Sequence, residues 1–285
     1  MSKLTESAVE DFAIKLFEQL GYSYVYAPDI APDGENLERS RYDEVILKDR
    51  LWSAVQRINP SVPRHALQEA VKEAERIHSP ELLANNETFH RLLTEGVKVN
   101  YQKEGQDRGD LVWLIDFAKP DNNEFVVANQ FTVIDSSPHG GNNQNKRPDL
   151  VLFVNGLPLV VIELKNSADE NATTKSAYNQ IDTYKQSIPN LFTTNAILVV
   201  SDGLEAKAGS LSAGFSRFMT WKSVDGKSEA SHLVSQLEIL INGMLNKATL
   251  LDLIRHFVVF EKSKKEDPKT GVISISTVKK LAAYH

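Results

Sequence analysis

Two strongly apolar runs near the middle of the chain constrain its fold more than any other feature. The runs LVLFV (150–154) and LPLVVIEL (157–164) are separated only by Asn155 and Gly156. An Asn-Gly step between runs rich in β-branched and aromatic residues is a strong short-range signal for a β-hairpin. The sequence therefore predicts two antiparallel strands joined at this step.

The segments around the hairpin predict an α/β fold with a mixed central β-sheet flanked by helices. Thr5 is placed to cap a first amphipathic helix that ends near Gly21. A periodic stretch broken by prolines, 41–93, predicts a helical insertion packed on the core. Two apolar stretches separated by a Pro-Asp-Asn-Asn turn, 110–117 and 123–134, are expected to pair as strands. The other predicted elements are helices at 174–187 and 232–245, strands at 22–26 and 195–203, and a helix or helix-strand pair at 250–261.

Composition restricts the chemistry and the location. The 285 residues include no cysteine, which excludes disulfides, thiol catalysis and thiolate metal sites. No apolar run approaches the length of a membrane span, and the N-terminus lacks the pattern of a signal peptide, so we expect a cytoplasmic protein. The net charge of -6 argues against a surface that binds nucleic acid everywhere, but it leaves room for a local DNA-binding channel.

Three ionisable residues are predicted to meet at the open end of the hairpin. With the connection centred on 155–157, Asp149 lies opposite Glu163 across the two strands. Strand side chains alternate between faces, so Glu163 and Lys165 share a side. Two adjacent carboxylates repel each other unless a proton or cation lies between them, and hard oxygen ligands suit Mg²⁺. A lysine there could orient or deprotonate a water or offset charge in the transition state, as phosphodiester hydrolysis requires.

A plainer interpretation of the same residues is a solvated rim with an ordinary surface salt bridge. The strand LPLVVIELK would, however, bury its charged end, and burying unpaired carboxylates is unfavourable. The matched spacing of the two acidic residues across the turn also favours a functional site. We therefore expect a metal site rather than a solvated rim.

The same residues resemble a known nuclease motif. Pro148-Asp149 followed by Glu163-x-Lys165 resembles the motif of the PD-(D/E)-x-K nuclease superfamily. The longer segments NQFTV and NKRPDLVLFVNGLPLVVIELKN are similar to the restriction subunit of type I restriction-modification enzymes. The resemblance implies a restriction-endonuclease-like core. It also implies that Asp149 and Glu163 are metal-binding catalytic carboxylates and that Lys165 is the catalytic lysine.

The resemblance extends to the helix that follows the hairpin. The family carries a Q-x-x-x-Y motif there, which Gln180 and Tyr184 match. Residues four apart share a helix face, so both side chains could point at the site. The alternative is that Tyr184 only fills the core.

Three further residues are weaker candidates for the site. Superfamily members often place an acidic residue from an early helix beside the metal, and Glu10 on the first helix is the candidate here, although the pattern favours a solvated helix face for it. Lys146 and Arg147, in the polar loop that enters the catalytic strand, could contact the DNA backbone or could be ordinary solvated residues.

The C-terminal part of the chain carries no expected chemistry. The charged stretch KSKKEDPKTG predicts a linker, and ISTVKKLAAYH predicts an amphipathic helix that stops in mid-pattern. We therefore expect an endonuclease domain at 1–260, with 261–285 as a linker and the truncated start of a motor domain. The family's motor would bind ATP, but Gly226-Lys227-Ser228 is not a phosphate loop because Trp221 occupies the position of its first glycine.

The first functional hypothesis is a Mg²⁺-dependent endonuclease domain of a type I restriction enzyme. It would cut double-stranded DNA non-specifically, while methyltransferase and specificity subunits recognise the target, and the full-length chain would be an ATP-dependent DNA translocase. A second hypothesis is a repair or recombination nuclease of the same superfamily. A third is a non-catalytic scaffold that docks a motor onto its partners.

Overall fold

The computed structural model describes residues 5–77, 79–134, 145–166, 173–266 and 273–282. Its helices are α1 (Glu6–Gln19), α2 (Lys48–Ile58), α3 (Arg64–Glu75), α4 (Leu82–Glu95), α5 (Thr174–Ser187), α6 (Gln236–Met244) and α7 (Lys247–His256). Its strands are β1 (Ser23–Tyr26), β2 (Val97–Lys103), β3 (Gln106–Val112), β4 (Phe125–Asn129), β5 (Val133–Ile134), β6 (Asn145–Lys146), β7 (Leu150–Val154), β8 (Leu157–Leu164), β9 (Ile197–Ser201), β10 (Ala206–Gly209), β11 (Val258–Glu266) and β12 (Ile273–Leu281). None of the helices described is long and apolar enough to cross a membrane.

Six strands form the central sheet in the order β1-β4-β7-β8-β9-β10. The β1–β4 and β8–β9 pairs are parallel, whereas the β4–β7, β7–β8 and β9–β10 pairs are antiparallel. This mixed sheet confirms the predicted α/β class and is consistent with a restriction-endonuclease-like core. The helices predicted in the stretch 41–93 are also present, as α2, α3 and α4.

The two faces of the sheet bury separate hydrophobic clusters. Ile162 lies in the cluster formed with α1, α6 and α7, whereas Val151 and Val161 lie in the cluster formed with α5. Strand residues two positions apart share a face, so Asp149 and Glu163 lie on the α5 side. Both α1 and α5 contact β8. The end of β8 therefore lies between these two helices.

The turn between β7 and β8 has the conformation that its sequence predicts. Asn155 and Gly156 both have positive φ, at 52° and 78°, as a type I′ hairpin turn requires. A Cβ atom at Gly156 would lie 2.4 Å from the main-chain oxygen of Leu47, so glycine is required by space as well as by conformation. The backbone of the hairpin is therefore packed directly against the start of α2.

A β-bulge in β8 sets the register at the far end of the hairpin. Phe153 pairs with Pro158 and Leu152 with Val160, so Leu159 is an extra residue. In a regular ladder without the bulge, Leu152 would pair with Leu159, every later pair would shift by one residue, and Asp149 would lie opposite Ile162. The register predicted from the sequence is confirmed beyond the bulge, but it depends on a feature that the sequence pattern does not reveal.

The predicted pairing of 110–117 with 123–134 is wrong. β3 pairs with β2, to which it is joined by a tight turn at Glu104 and Gly105, both with positive φ. β4 is buried along its whole length and lies between β1 and β7 in the central sheet. The prediction failed because β3 has a nearer partner along the chain, the strand β2, which follows α4 directly and was not predicted.

The predicted linker and C-terminal helix are also wrong. The described part of this region forms the antiparallel pair β11–β12; residues 267–271 of the predicted linker and 283–285 of the predicted helix lie outside the described residues. The helix was predicted on the assumption that apolar residues are buried and charged residues are exposed, and in β12 two neighbouring residues do the opposite. Val278 is 41% exposed, whereas the neighbouring Lys279 is 1% exposed.

Lys279 anchors β12 to the body of the protein, and none of the acidic side chains described in the structure forms an ion pair with it. Its ammonium group donates to Oδ1 of Asn86, at 2.9 Å, and to the main-chain oxygen of Asn195, at 2.5 Å. Burial lowers the pKa of Lys279 from 10.5 to about 7. The folded protein therefore binds fewer protons than the unfolded chain between these values, and this residue makes stability rise with pH across that window.

Replacing Lys279 with methionine should remove this pH dependence while keeping a long apolar side chain. Between about pH 7.5 and about pH 9.5, the wild type should gain about 2 kcal/mol of unfolding free energy relative to Lys279→Met. Urea unfolding at both pH values measures the difference. An identical pH response of the two proteins would contradict the assignment of a charge penalty to Lys279.

Candidate active site

Two buried carboxyl groups lie at one end of the central sheet. Asp149 directly precedes β7, and Glu163 is near the end of β8. Leu150 pairs with Ile162, so the next step of the antiparallel register brings Asp149 level with Glu163. Only 8% of Asp149 and 2% of Glu163 is exposed. The predicted opposition of these residues is confirmed, and so is the burial of the charged end of the strand.

The hydrogen bonds of the two carboxyl groups are incomplete. Asp149 Oδ2 accepts from the main-chain N–H of Leu164 at 2.7 Å. Glu163 Oε1 accepts from the ammonium group of Lys165 at 2.8 Å. Glu163 Oε2 is buried, and within the part of the chain that the structure describes no donor lies in hydrogen-bonding geometry with it. A buried carboxylate oxygen without a donor is unfavourable unless a proton or a cation satisfies it.

Burial disfavours ionisation of both carboxyl groups, and nearby acidic residues add to the effect. Burial raises the pKa of Asp149 to about 7, against the effect of the Leu164 hydrogen bond and of Lys165. Burial, followed by the charge of Asp149, raises the pKa of Glu163 to about 8. The charges of Glu6 and Glu10 act in the same direction on Asp149. The site thus has an excess of negative charge that a cation would relieve.

Lys165 is the positive group of the site. Its Nζ lies 2.8 Å from Glu163 Oε1 and 3.6 Å from Glu6 Oε1, and its main-chain N–H donates to the oxygen of Ser201 on β9 at 2.8 Å. Burial acts to lower the pKa of Lys165, but the charges of Glu163, Asp149 and Glu6 raise it above its ordinary value. Lys165 is therefore a fixed ammonium ion here rather than a ready base.

The helix after the hairpin, α5, brings the predicted Gln180 and Tyr184 together, and Tyr184 is the one that the charges of Glu163 and Asp149 reach. Tyr184 is buried, and its hydroxyl donates to the main-chain oxygen of Arg147 at 3.3 Å. Burial raises the pKa of Tyr184, and the charge of Glu163 adds to the effect, while the Gln180 side chain opposes it. Tyr184 therefore faces the site and also contributes to the core, so the two interpretations left open by the sequence are compatible.

The weak candidate Glu10, on α1, is buried at the same end of the sheet as Asp149. Asn129 donates to Glu10 Oε1 at 2.5 Å, and Gln130 donates to both carboxylate oxygens, at 3.3 and 3.1 Å. The prediction of a solvated face for Glu10 is wrong, because only 7% of it is exposed. The sequence pattern assigned no role to Asn129 or Gln130, although they are the first two residues of the NQFTV segment that contributes to the resemblance.

Lys146 and Arg147 lie at the entry to β7. Lys146 is half-buried in β6, and the side chain of Arg147 is exposed. Arg147 contributes its main-chain oxygen to the site through Tyr184. The polar residues 142–144 that flank this pair lie outside the described residues. A role of the two basic side chains at DNA stays a prediction.

The donor groups suit a hard divalent cation that completes its shell with other oxygens. Among the residues described, no three acidic or histidine side chains converge closely enough to hold a metal ion by themselves. Mg²⁺ in phosphoryl-transfer sites is typically held by one or two carboxylates, with waters and substrate phosphates as the other ligands. The unsatisfied Oε2 of Glu163 beside Asp149 fits that requirement.

Sequence comparison shows the family to which this restriction-endonuclease-like fold belongs. The family described as type I restriction enzyme R protein N terminus matches residues 3–217. The chain therefore belongs to the family of type I restriction enzyme R protein N-terminal regions.

Two relatives align along nearly the whole chain. It is 39% identical over 284 residues to the type I restriction enzyme HindI endonuclease subunit of Haemophilus influenzae, covering 99% of this chain and 26% of that protein. It is 34% identical over 280 residues to a Methanocaldococcus jannaschii protein named as the MjaIXP endonuclease subunit of a type I restriction enzyme, covering 92% of this chain and 26% of that protein. The chain thus spans about a quarter of the length of these relatives.

Neutralising one carboxyl group should not destabilise the metal-free protein. Because the pKa values of Asp149 and Glu163 are raised, the folded protein binds more protons than the unfolded chain between about pH 4 and about pH 8, and stability falls as pH rises through this window. Asp149→Asn and Glu163→Gln should flatten this fall. Melting curves in EDTA at about pH 8 should show both variants at least as stable as wild type.

Asp116 provides the matched control. Burial acts to raise the pKa of Asp116, but hydrogen bonds from Asn122, Lys119 and Ala118 lower it below its ordinary value. Asp116→Asn should therefore lose stability at about pH 8. If Asp149→Asn and Glu163→Gln lose as much as Asp116→Asn, the two carboxylates are structural groups and the strained-site interpretation is wrong.

Proposed function

We propose that this chain is the Mg²⁺-dependent nuclease domain of a type I restriction enzyme and hydrolyses phosphodiester bonds of double-stranded DNA without sequence specificity. The observation that carries the proposal is the pair of buried, mutually repelling carboxyl groups beside a fixed lysine ammonium. Membership of the type I restriction family supports it, since relatives over the whole chain are named endonuclease subunits.

Asp149 and Glu163 would hold the metal ion. The main-chain N–H of Leu164 fixes one oxygen of Asp149, and Lys165 fixes one oxygen of Glu163, so both carboxylates are oriented before a cation arrives. Such preorganisation avoids reordering side chains during binding. When bound, Mg²⁺ supplies a Lewis acid for the scissile phosphate and favours ionisation of the attacking water.

Lys165 would stabilise developing negative charge. Its ammonium form is favoured by its acidic neighbours, and only 19% of its side chain is exposed. A fixed positive charge is more effective in such a partly dehydrated site than in water. This favours charge stabilisation or orientation of a water by Lys165 over the deprotonation of a water, which the sequence left open.

Gln180 and Tyr184 would position the reacting groups. The Tyr184 hydroxyl is bonded to the main chain two residues before Asp149, and α5 packs against β8. A side chain held in this way can fix the entry of β7 relative to the end of β8. Positioning of this kind contributes to rate through geometry rather than through bond making.

The DNA affinity and targeting of the enzyme would come from outside this domain. The net charge of -6 is unsuited to strong DNA binding by the chain alone. We propose that methyltransferase and specificity subunits recognise the target, and that the full-length protein, about four times longer, adds an ATP-dependent DNA translocase. An enzyme with chromosomal or invading DNA as substrate would act in the cytoplasm.

Divalent metal should stabilise the folded wild-type chain. A ligand that binds only the folded state at 100 times its Kd adds about 2.7 kcal/mol of unfolding free energy. The measurement is the melting temperature with EDTA and with millimolar Mg²⁺ or Mn²⁺. Asp149→Asn and Glu163→Gln should respond little, and a normal metal response of both variants would place the metal elsewhere.

Lys165→Ala should abolish DNA cleavage by the assembled full-length enzyme while ATP hydrolysis stays near wild type. The reason is that Lys165 is placed to act on the reacting phosphate and not on the motor. Lys207→Ala, on β10 of the same sheet and paired with Glu205, is the control that should retain cleavage. Cleavage by Lys165→Ala at the wild-type rate would remove Lys165 from the mechanism.

A further inference from the structure

Glu10 is a buried carboxylate held by neutral amide groups. It receives the Nδ2 donor of Asn129 and the Nε2 donor of Gln130, and its exposure is only 7%. An arginine or lysine partner would cancel the negative charge of a carboxylate, whereas amides orient it and leave the charge in place. The arrangement therefore preserves a fixed negative charge beside Asp149, whose ionisation Glu10 opposes.

The side-chain amides of Asn129 and Gln130 together form an amide clamp on Glu10. The backbone of Gln130 connects this clamp to Asp149. Its main-chain N–H donates to the main-chain oxygen of Asp149 at 3.2 Å, which continues the pairing of β4 with β7. Its φ is 58°, in the left-handed region that glycine and asparagine adopt more readily than glutamine. A longer side chain is therefore present where the backbone alone would favour a smaller residue. Strained conformations of this kind concentrate at functional sites.

Asn129 is itself held in one orientation. The hydroxyl of Tyr24 donates to Asn129 Oδ1 at 3.0 Å, so the Nδ2 group of Asn129 points to Glu10. Tyr24 lies on β1, which pairs with β4. The clamp thus extends from the edge strand of the sheet through Asn129 and Gln130 to α1.

We propose that Gln130, together with Asn129, is a positioning residue that holds Glu10 so that its negative charge strengthens cation binding at Asp149 and Glu163. This inference rests on the proposed function. Because no three carboxyl groups of the described residues converge closely enough to form a complete metal cage, Glu10 acts through its charge and orientation and is not required as a direct ligand. Groups of this outer kind typically change metal affinity by roughly 10- to 100-fold.

The test is calorimetric titration of the 285-residue chain with Mn²⁺, without DNA. Gln130→Gly removes the Gln130 hydrogen bonds of the clamp and the backbone strain but leaves Asn129 in place, so it should bind Mn²⁺ roughly tenfold more weakly while the metal-free protein melts no lower than wild type. Gln130→Asn keeps a residue that tolerates the left-handed conformation but shortens the reach to Glu10. It should weaken binding similarly, and it decides the question if Gln130→Gly does not fold.

Glu104 offers a matched control for strain. It also has a left-handed φ, of 54°, in the exposed turn between β2 and β3. Glu104→Gly relieves comparable strain far from any clamp, so it should leave Mn²⁺ affinity unchanged. A loss of affinity in Glu104→Gly equal to that in Gln130→Gly would overturn the inference.

A double-mutant cycle separates positioning from a general structural effect. If Gln130 acts through Glu10, the double variant Glu10→Gln/Gln130→Gly should bind Mn²⁺ no more weakly than Glu10→Gln alone. Additive losses, or wild-type affinity in both Gln130 variants, would overturn the inference and leave the proposed function standing. If the wild-type chain itself bound no Mn²⁺, the proposed metal site would fail and this inference with it.

Discussion

The antiparallel pairing of β7 with β8 is the interaction on which the rest of the site depends. It places Asp149 level with Glu163, and the continuation of β8 places Lys165 within hydrogen-bonding distance of Glu163. The bulge at Leu159 is part of this arrangement, because a slip of one residue would move the carboxyl groups out of register. The tight Asn155-Gly156 turn, packed on α2, fixes the other end of the same pair. A site built on two central strands is held more rigidly than one built on loops.

The site places two carboxyl groups whose ionisation is disfavoured within a stable, well-packed sheet, and this combination suits metal binding. The surrounding strands are almost fully buried, which provides ample hydrophobic stabilisation. Against this background, the fold retains two carboxyl groups whose ionisation is disfavoured and one oxygen without a donor. A cation would satisfy that oxygen and offset the repulsion. The elements on either side, α1 with Glu10 and α5 with Tyr184, both reach the same sheet end, so the central sheet connects all candidate groups.

Local patterns predicted the parts of the structure whose partners are close in sequence. The hairpin, its carboxylate pair, the position of Lys165 and the helix that carries Gln180 and Tyr184 all follow from alternation and turn chemistry. The clamp on Glu10 was not predicted, because it joins α1 to the end of β4 across more than one hundred residues and involves an uncommon backbone conformation at Gln130. The strand β12 was predicted to be a helix because the pattern assumed that charged residues are exposed, whereas Lys279 is buried and Val278 is exposed.

We propose that a divalent cation binds between Asp149 and Glu163. The most direct measurement is X-ray diffraction from crystals of the chain soaked in Mn²⁺, with an anomalous difference map to locate the metal. We expect an anomalous peak in contact with both carboxylates, including Glu163 Oε2. A map in which Mn²⁺ occupies only other positions, or in which these carboxylates stay without metal at saturating Mn²⁺, would contradict it.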